Sequence, residues 1–304
     1  MGRELVRQLA AEGCHVATCD ISEQNLAETL ELVSTDGSTA RVSTHIADVS
    51  SEADLVRFRD ELQEQHDTDQ LNLLFNNAGI GGSGSFCTDP REQWERTFRI
   101  LWDGVYLGVR TFLPLMMAAP EAHIINMSSL TGLWASLGPS TPATAYSAAK
   151  FAVRGFSEAM IVDLSINAPH VKISVVFPGH VGTPMSLNTL RHFAGGESNL
   201  LSEVQVERIR AQLLAVGRDP MKLTDESIQV LAVERARRFQ DEAPLGPAEA
   251  AATIIEGVKA GKWRILVGDD ARMVDEMVRA EPDEAYTPEF FAKVQKLVNW
   301  NFAG

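Results

Sequence analysis

Tyr146 and Lys150, four positions apart, are the first residues in this chain whose types and spacing could do chemistry together. Side chains separated by four residues share one face of a helix, so the lysine ammonium can lie beside the phenol. A phenol with a pKa near ~10 is a poor acid or base at neutral pH unless a nearby cation lowers that pKa. Ser129, upstream of the pair, could hold and polarise a substrate carbonyl. The three residues together indicate proton transfer to or from an oxygen.

The other candidate residues lie at the ends of predicted strands. Over the first two-thirds of the chain, short apolar runs alternate with helical patterns, which predicts βαβ units and a parallel sheet. The predicted strands are His15 to Asp20, Val42 to Ile46, Leu71 to Phe75, His123 to Met127 and Val171 to Phe177. The motifs at or just after their ends are Asp20, Asp48-Val49, Asn76-Asn77-Ala78-Gly79, Ser128-Ser129 and Pro178-Gly179-His180-Val181-Gly182-Thr183. Open α/β sheets bind ligands at this carboxyl edge.

In this order the motifs resemble the short-chain dehydrogenase/reductase (SDR) family, from Gly2 to about Thr183. The resemblance implies an α/β fold with a Rossmann-like, doubly wound parallel sheet. It implies catalytic roles for Ser129, Tyr146 and Lys150, and it implies NAD(P) as the cofactor. The cofactor-binding residues that it implies are Gly2, Asp20, Asp48, Val49, Asn77, Ala78, Gly79, Tyr146, Lys150, Pro178, Gly179, Val181 and Thr183.

Asp20 ends the strand that corresponds to the second strand of the family, and its type favours NAD over NADP as the cofactor. An acid at the position of Asp20 hydrogen-bonds the adenosine ribose hydroxyls in dinucleotide folds and would repel a 2′-phosphate. Ile21 and Ser22 follow it, and neither is a cation that would attract that phosphate. We therefore expect NAD as the cofactor.

Several assignments stay open at the level of sequence. Asp48 could contact the adenine amine or simply begin a helix, and Asn77 could bind the cofactor or brace the sheet. The resemblance makes Ser129 the catalytic serine, but the spacing to Tyr146 is longer than usual, so Ser128 is an alternative. His180 is predicted to line the site or lie on the surface, since the resemblance gives the acid–base role to Tyr146.

The substrate pocket is predicted to be apolar. Leu130, Trp134 and Met185 are expected to line it, and an insertion from Leu133 to Pro142 is expected to overhang the substrate. One departure from the family lies on a long helix that is predicted to start near Pro90, where a common asparagine that holds a water aligns with Leu101. Leucine cannot hold a water, so a proton relay would have to run differently or activity would be weaker.

The start of the chain also departs from the family. A turn of pattern T-G-x-x-x-G-[IM]-G follows the first strand of SDR proteins, and Met1-Gly2 resembles its last two residues. We expect the natural protein to begin roughly 10–20 residues upstream, by the length of one strand and its turn. In the strand order that the resemblance implies, the absent strand lies between the second and the fourth.

The remaining sequence predicts one domain spanning residues 1–304. Residues 186–246 show helical patterns without a strand signal and are predicted to form a helical lid. A last strand from Arg264 to Val267 is followed by a C-terminal helical extension over residues 268–304.

Composition excludes several classes of partner. The net charge of −14 argues against nucleic acid and anionic membranes, which require basic patches. Cys14, Cys19 and Cys87 lack metal-ligand spacing, so we expect free thiols, a cytoplasmic protein and no metal. The resemblance implies a homodimer or homotetramer that pairs through the long helix and the helix of Tyr146.

The leading hypothesis is an NAD-dependent oxidoreductase acting on an apolar secondary alcohol or ketone. A first alternative is a nucleotide-sugar epimerase or dehydratase, which uses the same tyrosine and lysine. A second is a cofactor-impaired binding or scaffold subunit, suggested by the missing glycine-rich turn and by Leu101.

Overall fold

The computed structural model describes residues 1–81, 84–139, 141–194, 201, 203–215 and 223–298. In these residues the strands are β1 (Val16–Asp20), β2 (Val42–Ile46), β3 (Leu73–Asn76), β4 (Ala122–Met127), β5 (Val171–Pro178) and β6 (Arg264–Val267). The helices are α1 (Gly2–Ala11), α2 (Glu23–Thr35), α3 (Glu52–His66), α4 (Arg91–Phe98), α5 (Gly104–Ala118), α6 (Thr144–Asn167), α7 (Met185–Ala194), α8 (Glu203–Ala215), α9 (Asp225–Asp241), α10 (Pro247–Lys259), α11 (Asp269–Ala280) and α12 (Pro288–Val298).

All strand pairs are parallel, and helices cover both faces of the larger sheet. Alternating residues of β4 point to opposite faces, as a strand requires. Ile125 packs in the cluster that contains α1 and α10, whereas Ile124 packs in the cluster that contains α5 and α6. The structure thus confirms the predicted α/β fold with helices on both sides of a parallel sheet.

The strands form two sheets instead of one. A four-stranded sheet has the order β3-β4-β5-β6, and β1 pairs with β2 in a separate two-stranded sheet. Among the described residues, β1 and β3 are each paired along one edge only. Helix α1 packs beside both sheets. It contacts β1 of the two-stranded sheet, and its buried side chains share a cluster with residues of β4, β5 and β6 of the four-stranded sheet.

The long helix that leads from Pro90 into the core is not regular. Residues Arg99–Asp103 form a π-helical turn between α4 and α5, and this turn holds Leu101 at 1% exposure. A single π turn inserts one residue into a helix and often occurs at functional sites. The turn places Leu101 beside Tyr146, in one cluster of buried side chains.

Serine side chains cap the starts of α2 and α3. Ser22 caps α2 by accepting a hydrogen bond from the Asn25 N–H. Ser51 caps α3 by accepting from the Asp54 N–H. The preceding Ser50 donates its N–H and its hydroxyl to Asp48 Oδ1 instead.

The region predicted as a lid contains α7, α8 and α9, with residues 195–200, 202 and 216–222 of that prediction lying outside the described residues. The predicted C-terminal extension contains α11 and α12, and residues 299–304 of it lie outside the described part. None of the described helices combines the length and the apolar character needed to cross a bilayer.

Candidate active site

Tyr146, Lys150 and Ser129 lie together at the carboxyl edge of the four-stranded sheet. Tyr146 and Lys150 share one face of α6, and Lys150 Nζ lies 5.7 Å from the centroid of the Tyr146 ring. Ser129 follows the end of β4, and its side chain is hydrogen-bonded to Tyr146. Lys150 Nζ donates to the Met127 carbonyl at 2.8 Å, which connects α6 to the end of the same strand.

Burial shifts the pKa values of both α6 residues. Burial raises the pKa of Tyr146 above its ordinary value, while the hydrogen bond from Ser129 opposes that rise. Burial also lowers the pKa of Lys150 to about 8, because a buried ammonium loses its hydration. The sequence predicts that a cation, Lys150, lowers the pKa of Tyr146. In the structure the largest effect on that pKa is the rise caused by burial, and the hydrogen bond from Ser129 is the interaction that lowers it.

The structure distinguishes the two serines after β4. Ser128 is buried, and its hydroxyl donates to the Lys150 carbonyl at 2.8 Å. Ser129 accepts a hydrogen bond from the Thr131 N–H at 3.2 Å and also reaches Tyr146. Ser128 therefore fixes α6 against the strand, and Ser129 is the serine that can meet a substrate oxygen.

A chain of side-chain hydrogen bonds holds the strand ends in register beneath the site. Asn76 Nδ2 donates to Asn126 Oδ1 at 2.8 Å, joining β3 to β4. Asn126 Nδ2 donates in turn to the Ser157 hydroxyl at 3.0 Å, which joins β4 to α6. Asn126 and Ser157 are almost completely buried, where satisfied polar groups specify a unique arrangement. The bracing amide of the NNAG motif is thus Asn76, while Asn77 lines the cavity.

Residues 178–183, which we call the β5 turn, form a second wall of the site. The His180 N–H donates to Asp270 Oδ2 at 2.7 Å, and the Gly182 N–H donates to the Leu245 carbonyl at 2.9 Å. His180 Nε2 lies 2.5 Å from the Phe239 carbonyl, to which it donates. Burial lowers the pKa of His180, so the ring is neutral at physiological pH. His180 is thus a buried residue of the turn that ties it to α9.

The two predicted adenosine contacts lie at the ends of β1 and β2. Asp20 Oδ1 accepts a hydrogen bond from the Ser22 N–H at 2.9 Å. Asp48 Oδ1 accepts from the N–H and the hydroxyl of Ser50, an arrangement typical of the start of a helix. Val49 is partly buried among side chains of α3 and α5. Parallel pairing aligns the two strand ends, but the contacts of Asp48 equally suit a structural role.

One cavity joins the α6 pair, the β4 end and the β5 turn. Its lining residues are Met1, Asn77, Gly79, Ile80, Leu101, Met127, Ser128, Ser129, Tyr146, Lys150, Pro178, Gly179, Val181, Thr183, Met185 and Phe239. Most of the predicted catalytic and cofactor-binding residues are therefore brought together here. Gly2, Asp20, Asp48, Val49 and Ala78 are not part of this lining, although Gly2 approaches the Asn77 side chain.

The prediction that Leu130 and Trp134 line the substrate pocket is corrected. Both are buried in a cluster with side chains of α11 and α12. Trp134 Nε1 donates to the Ala285 carbonyl at 2.7 Å, and its ring packs against Phe290 and Phe291. In the inserted segment, Leu133 and Trp134 thus pack in the core instead of overhanging a substrate, and its residue Ser140 lies outside the described residues.

Sequence reasoning missed Phe239, Ile80 and Met127 as lining residues. Met127 is the last residue of β4, so the rule that ligands bind at strand ends could have found it. Phe239 lies near the end of α9, and nothing in its sequence neighbourhood marks it, because its position depends on how α9 packs on the β5 turn.

The described residues contain no group of three or more histidine, cysteine, aspartate or glutamate side chains that could hold a metal ion. Cys14, Cys19 and Cys87 are free, and burial raises the pKa of the Cys19 thiol to about 12. A thiol with that pKa is a poor nucleophile, so the structure gives Cys19 a packing role.

A profile of the short chain dehydrogenase family matches residues 1–192, well over half of the 304-residue chain. The chain belongs to the short chain dehydrogenase family. The SadH protein of Mycobacterium tuberculosis is 29% identical over 300 residues, which cover 99% of this chain and 93% of SadH. This short chain dehydrogenase is therefore similar to a relative along its whole described length, including the C-terminal extension.

Two other relatives carry substrate names. Cyclopentanol dehydrogenase of Comamonas testosteroni is 34% identical over 191 residues, covering 62% of this chain and 72% of that enzyme. Trans-4-hydroxycyclohexanecarboxylate dehydrogenase of Sinomonas cyclohexanicum is 31% identical over 223 residues, covering 72% of this chain and 82% of that enzyme.

Among solved structures, a short chain dehydrogenase/reductase from Burkholderia phymatum in complex with NAD superimposes with a TM-score of 0.71. It is 26% identical, and the match covers 94% of this chain and 92% of that one.

Proposed function

We propose that this short chain dehydrogenase transfers a hydride between NAD and a secondary alcohol or ketone with an apolar body. The observation that carries the proposal is the Tyr146 phenol, which is hydrogen-bonded to Ser129 and lies near the Lys150 ammonium in the lining of one cavity. A positioned proton carrier, aided here by an orienting hydroxyl and a cation, is suited to acid–base chemistry at a substrate oxygen.

The residues of the chain supply the proton and the orientation. In oxidation, the Tyr146 oxygen accepts the proton of the alcohol as the carbinol carbon loses its hydride; in reduction it returns that proton to the carbonyl oxygen. Ser129 donates to the substrate oxygen and holds it beside Tyr146. Lys150, which lines the cavity with its Nζ 5.7 Å from the centroid of the Tyr146 ring, would hold the ribose of the cofactor. NAD, when bound, supplies the hydride acceptor or, in its reduced form, the hydride donor.

The lining fits the nicotinamide half of a dinucleotide. Gly79 and Gly179 expose backbone to the cavity, so a flat ligand can approach the chain closely. Lys150 and Thr183 offer a cation and a hydroxyl in the same lining. We infer that these residues, together with Asn77, Pro178 and Val181, would hold the nicotinamide half, and that Asp20 would meet the adenosine ribose. The NAD found with the Burkholderia phymatum structure supports this inference.

The lining also supports the substrate class. Ile80, Leu101, Met185 and Phe239 present apolar side chains to the cavity, which favours a hydrocarbon ring or chain over a nucleotide sugar. The relatives named for cyclopentanol and for a hydroxycyclohexane carboxylate both act, by name, on ring alcohols. We therefore propose alicyclic secondary alcohols as the first substrates to test.

Two measurements test the proposal. An NADH fluorescence titration distinguishes an oxidoreductase from a scaffold subunit, and saturable binding is expected. NADH formation with cyclopentanol and cyclohexanol, with primary aliphatic alcohols as controls, tests the substrate class. Absence of NADH binding would refute the whole proposal, whereas binding without turnover of any secondary alcohol would refute the substrate class alone.

Cofactor preference gives a separate test. Because Asp20 would repel a 2′-phosphate, kcat/KM should be higher for NAD than for NADP. Asp20→Ser should narrow the gap by improving the use of NADP. Equal use of the two cofactors by the unmodified protein would show that Asp20 does not meet the ribose.

A further inference from the structure

A buried carboxylate from the C-terminal extension reaches into the β5 turn. Asp270, near the start of α11, is 4% exposed. One of its oxygens, Oδ2, accepts the His180 N–H at 2.7 Å, and the other, Oδ1, accepts the Ala271 N–H at 2.8 Å. A buried carboxylate that accepts backbone N–H groups through both oxygens forms strong, charge-assisted hydrogen bonds.

The shape of the β5 turn is adapted to this carboxylate. A Cβ built on Gly179 would lie 1.9 Å from Asp270 Oδ1, closer than two atoms can approach. Gly179 does not have a positive φ. The requirement for glycine at this position therefore comes from the space that the carboxylate occupies and not from backbone strain.

The same turn supplies one wall of the cavity. Pro178, Gly179, Val181 and Thr183 all line it, while the His180 N–H points away from that wall to Asp270. The other supports of the turn come from other segments. The Gly179 N–H donates to the Val267 carbonyl at 2.9 Å, the Gly182 N–H donates to the Leu245 carbonyl, and His180 Nε2 donates to the Phe239 carbonyl. Asp270 is the side chain that fills the space where a Cβ of the cavity-lining Gly179 would lie.

We propose that Asp270 is a positioning residue for the cofactor: its carboxylate fixes the β5 turn in the conformation that receives NAD. This proposal rests on the proposed function for the identity of the ligand. It assigns to the C-terminal extension a part in forming the site, although α11 itself contributes no residue to the cavity lining.

The test compares Asp270→Asn with a matched variant on the same helix. Asparagine keeps the size of the side chain but has one acceptor oxygen, so one backbone N–H meets an amide N–H instead. Asp275→Asn is the control, because Asp275 is also buried on α11 but pairs with Arg264 and Arg279, away from the β5 turn. Both variants lose a buried charge, and only the first changes the support of the turn.

Two readouts are needed. For Asp270→Asn, the NADH Kd should rise roughly 10–100-fold, the cost of losing a hydrogen bond to a charged group. Hydrogen exchange of the peptide amides in residues 178–183, measured without cofactor, should become faster in Asp270→Asn and stay unchanged in Asp275→Asn. Equal Kd values and equal exchange in the two variants would overturn the proposal.

Gly179→Ala provides an independent arm if Asp270→Asn does not fold. Its methyl group must displace the carboxylate, so the NADH Kd and the exchange of residues 178–183 should change in the same direction as for Asp270→Asn. A wild-type Kd in Gly179→Ala would overturn the positioning role. If the unmodified protein does not bind NADH at all, the proposed function fails, while the exchange comparison still decides whether Asp270 holds the turn.

Discussion

Burial acts in opposite directions on the two titratable residues of the site. It raises the pKa of Tyr146, which keeps the phenol protonated at neutral pH, and it lowers the pKa of Lys150 to about 8. The neutral phenol is the form that donates a proton to a carbonyl, and the phenolate is the form that accepts one from an alcohol.

The pH dependence of the two directions follows from the protonation state of Tyr146. Alcohol oxidation should become faster as pH rises from 6 to 7.5, because more of the phenol is ionised while Lys150, with a pKa of about 8, keeps most of its proton. Ketone reduction should not become faster over the same range. Initial rates in both directions at saturating cofactor test this, and an oxidation rate that falls from pH 6 to pH 7.5 would contradict the assignment of the base.

Tyr146→Phe should lower kcat by roughly 10²–10⁴-fold, the usual contribution of a general acid or base. NADH binding should remain close to that of the unmodified protein, since the ring stays in place and only the hydroxyl is lost. Tyr286→Phe is the matched control, because Tyr286 is an exposed tyrosine outside the cavity lining. A near-normal kcat in Tyr146→Phe would assign the proton transfer to another residue.

Lys150→Met should inactivate the enzyme and stabilise the fold at pH 7. The pKa of Lys150 falls from 10.5 to about 8 on folding, so the folded state carries the cost of a buried charge at pH values below 8. That cost is at most roughly 3 kcal/mol. It is relieved as pH rises from 8 to 10.5, because the folded lysine is then neutral while the unfolded one still binds its proton.

Urea unfolding of Lys150→Met at pH 7 and at pH 10 measures this effect. The free energy of unfolding should exceed that of the unmodified protein by about 1–3 kcal/mol at pH 7, and the difference should shrink at pH 10. Lys296→Met, at an exposed position on α12, should change little at either pH. A pH-independent difference would show that the charge of Lys150 is not the cause.

At the scale of elements, the π-helical turn places Leu101 against Tyr146. Leu101 packs with Ala143 and Ala149 in the same cluster, and it also lines the cavity. An asparagine here is what the family commonly has, so the position is compatible with a polar side chain that faces the site. Leu101 packs into the wall of the cavity but cannot bind a water as an asparagine there would.

Leu101→Asn should therefore keep or raise kcat while lowering the free energy of unfolding by roughly 2–4 kcal/mol, as expected when a buried leucine becomes polar. Leu115→Asn is the control, because Leu115 is buried on α5 in a cluster away from the cavity. It should destabilise to a similar extent without raising kcat. A large loss of activity in Leu101→Asn alone would show that the side chain has a direct role in the reaction.

The elements near the site differ in how far the sequence could predict them. The spacing of Tyr146 and Lys150 fixes them on one helical face, and the end of a strand fixes Ser129, so local rules suffice for these residues. The π turn was not predictable, because the buried residues Leu101, Val105 and Gly108 keep the spacing of three and four that a regular helix shows. Trp134 was also misplaced, because its position depends on packing against Phe290, which lies far away in the sequence.

At the scale of the whole molecule, the outer faces of α5 and α6 carry exposed aromatic side chains. Tyr106 and Phe151 are 43% and 38% exposed, whereas Trp102 and Phe156 pack against each other and are only partly exposed. Trp102 and Phe156 thus help to fill the core of one subunit, and Tyr106 and Phe151 do not. We propose a homodimer or homotetramer that buries Tyr106 and Phe151.

Light scattering at micromolar concentration should give a multiple of the monomer mass. The double variant Tyr106→Glu/Phe151→Glu should reduce it to the monomer mass, because charge at the centre of an interface opposes burial. Phe86→Glu is the control, since Phe86 is 76% exposed and lies outside these two helices. A monomeric mass for the unmodified protein would contradict this proposal.

The parallel α/β arrangement and the family follow from the sequence, because alternating apolar runs and strand-end motifs are local signals. The support of the β5 turn by α11 does not follow from such signals, since no local pattern connects His180 to Asp270.

That long connection also has a consequence for the order in which the protein is made. The hydrogen bond from His180 to Asp270 joins positions 90 residues apart. At synthesis rates of ~5–20 residues per second, Asp270 is synthesised roughly 5–20 s after His180. Tyr146, Lys150 and Ser129 are by then already synthesised, beside a turn that lacks one of its supports. The cofactor is therefore expected to join a nearly finished chain and not to act as a template for the growing one.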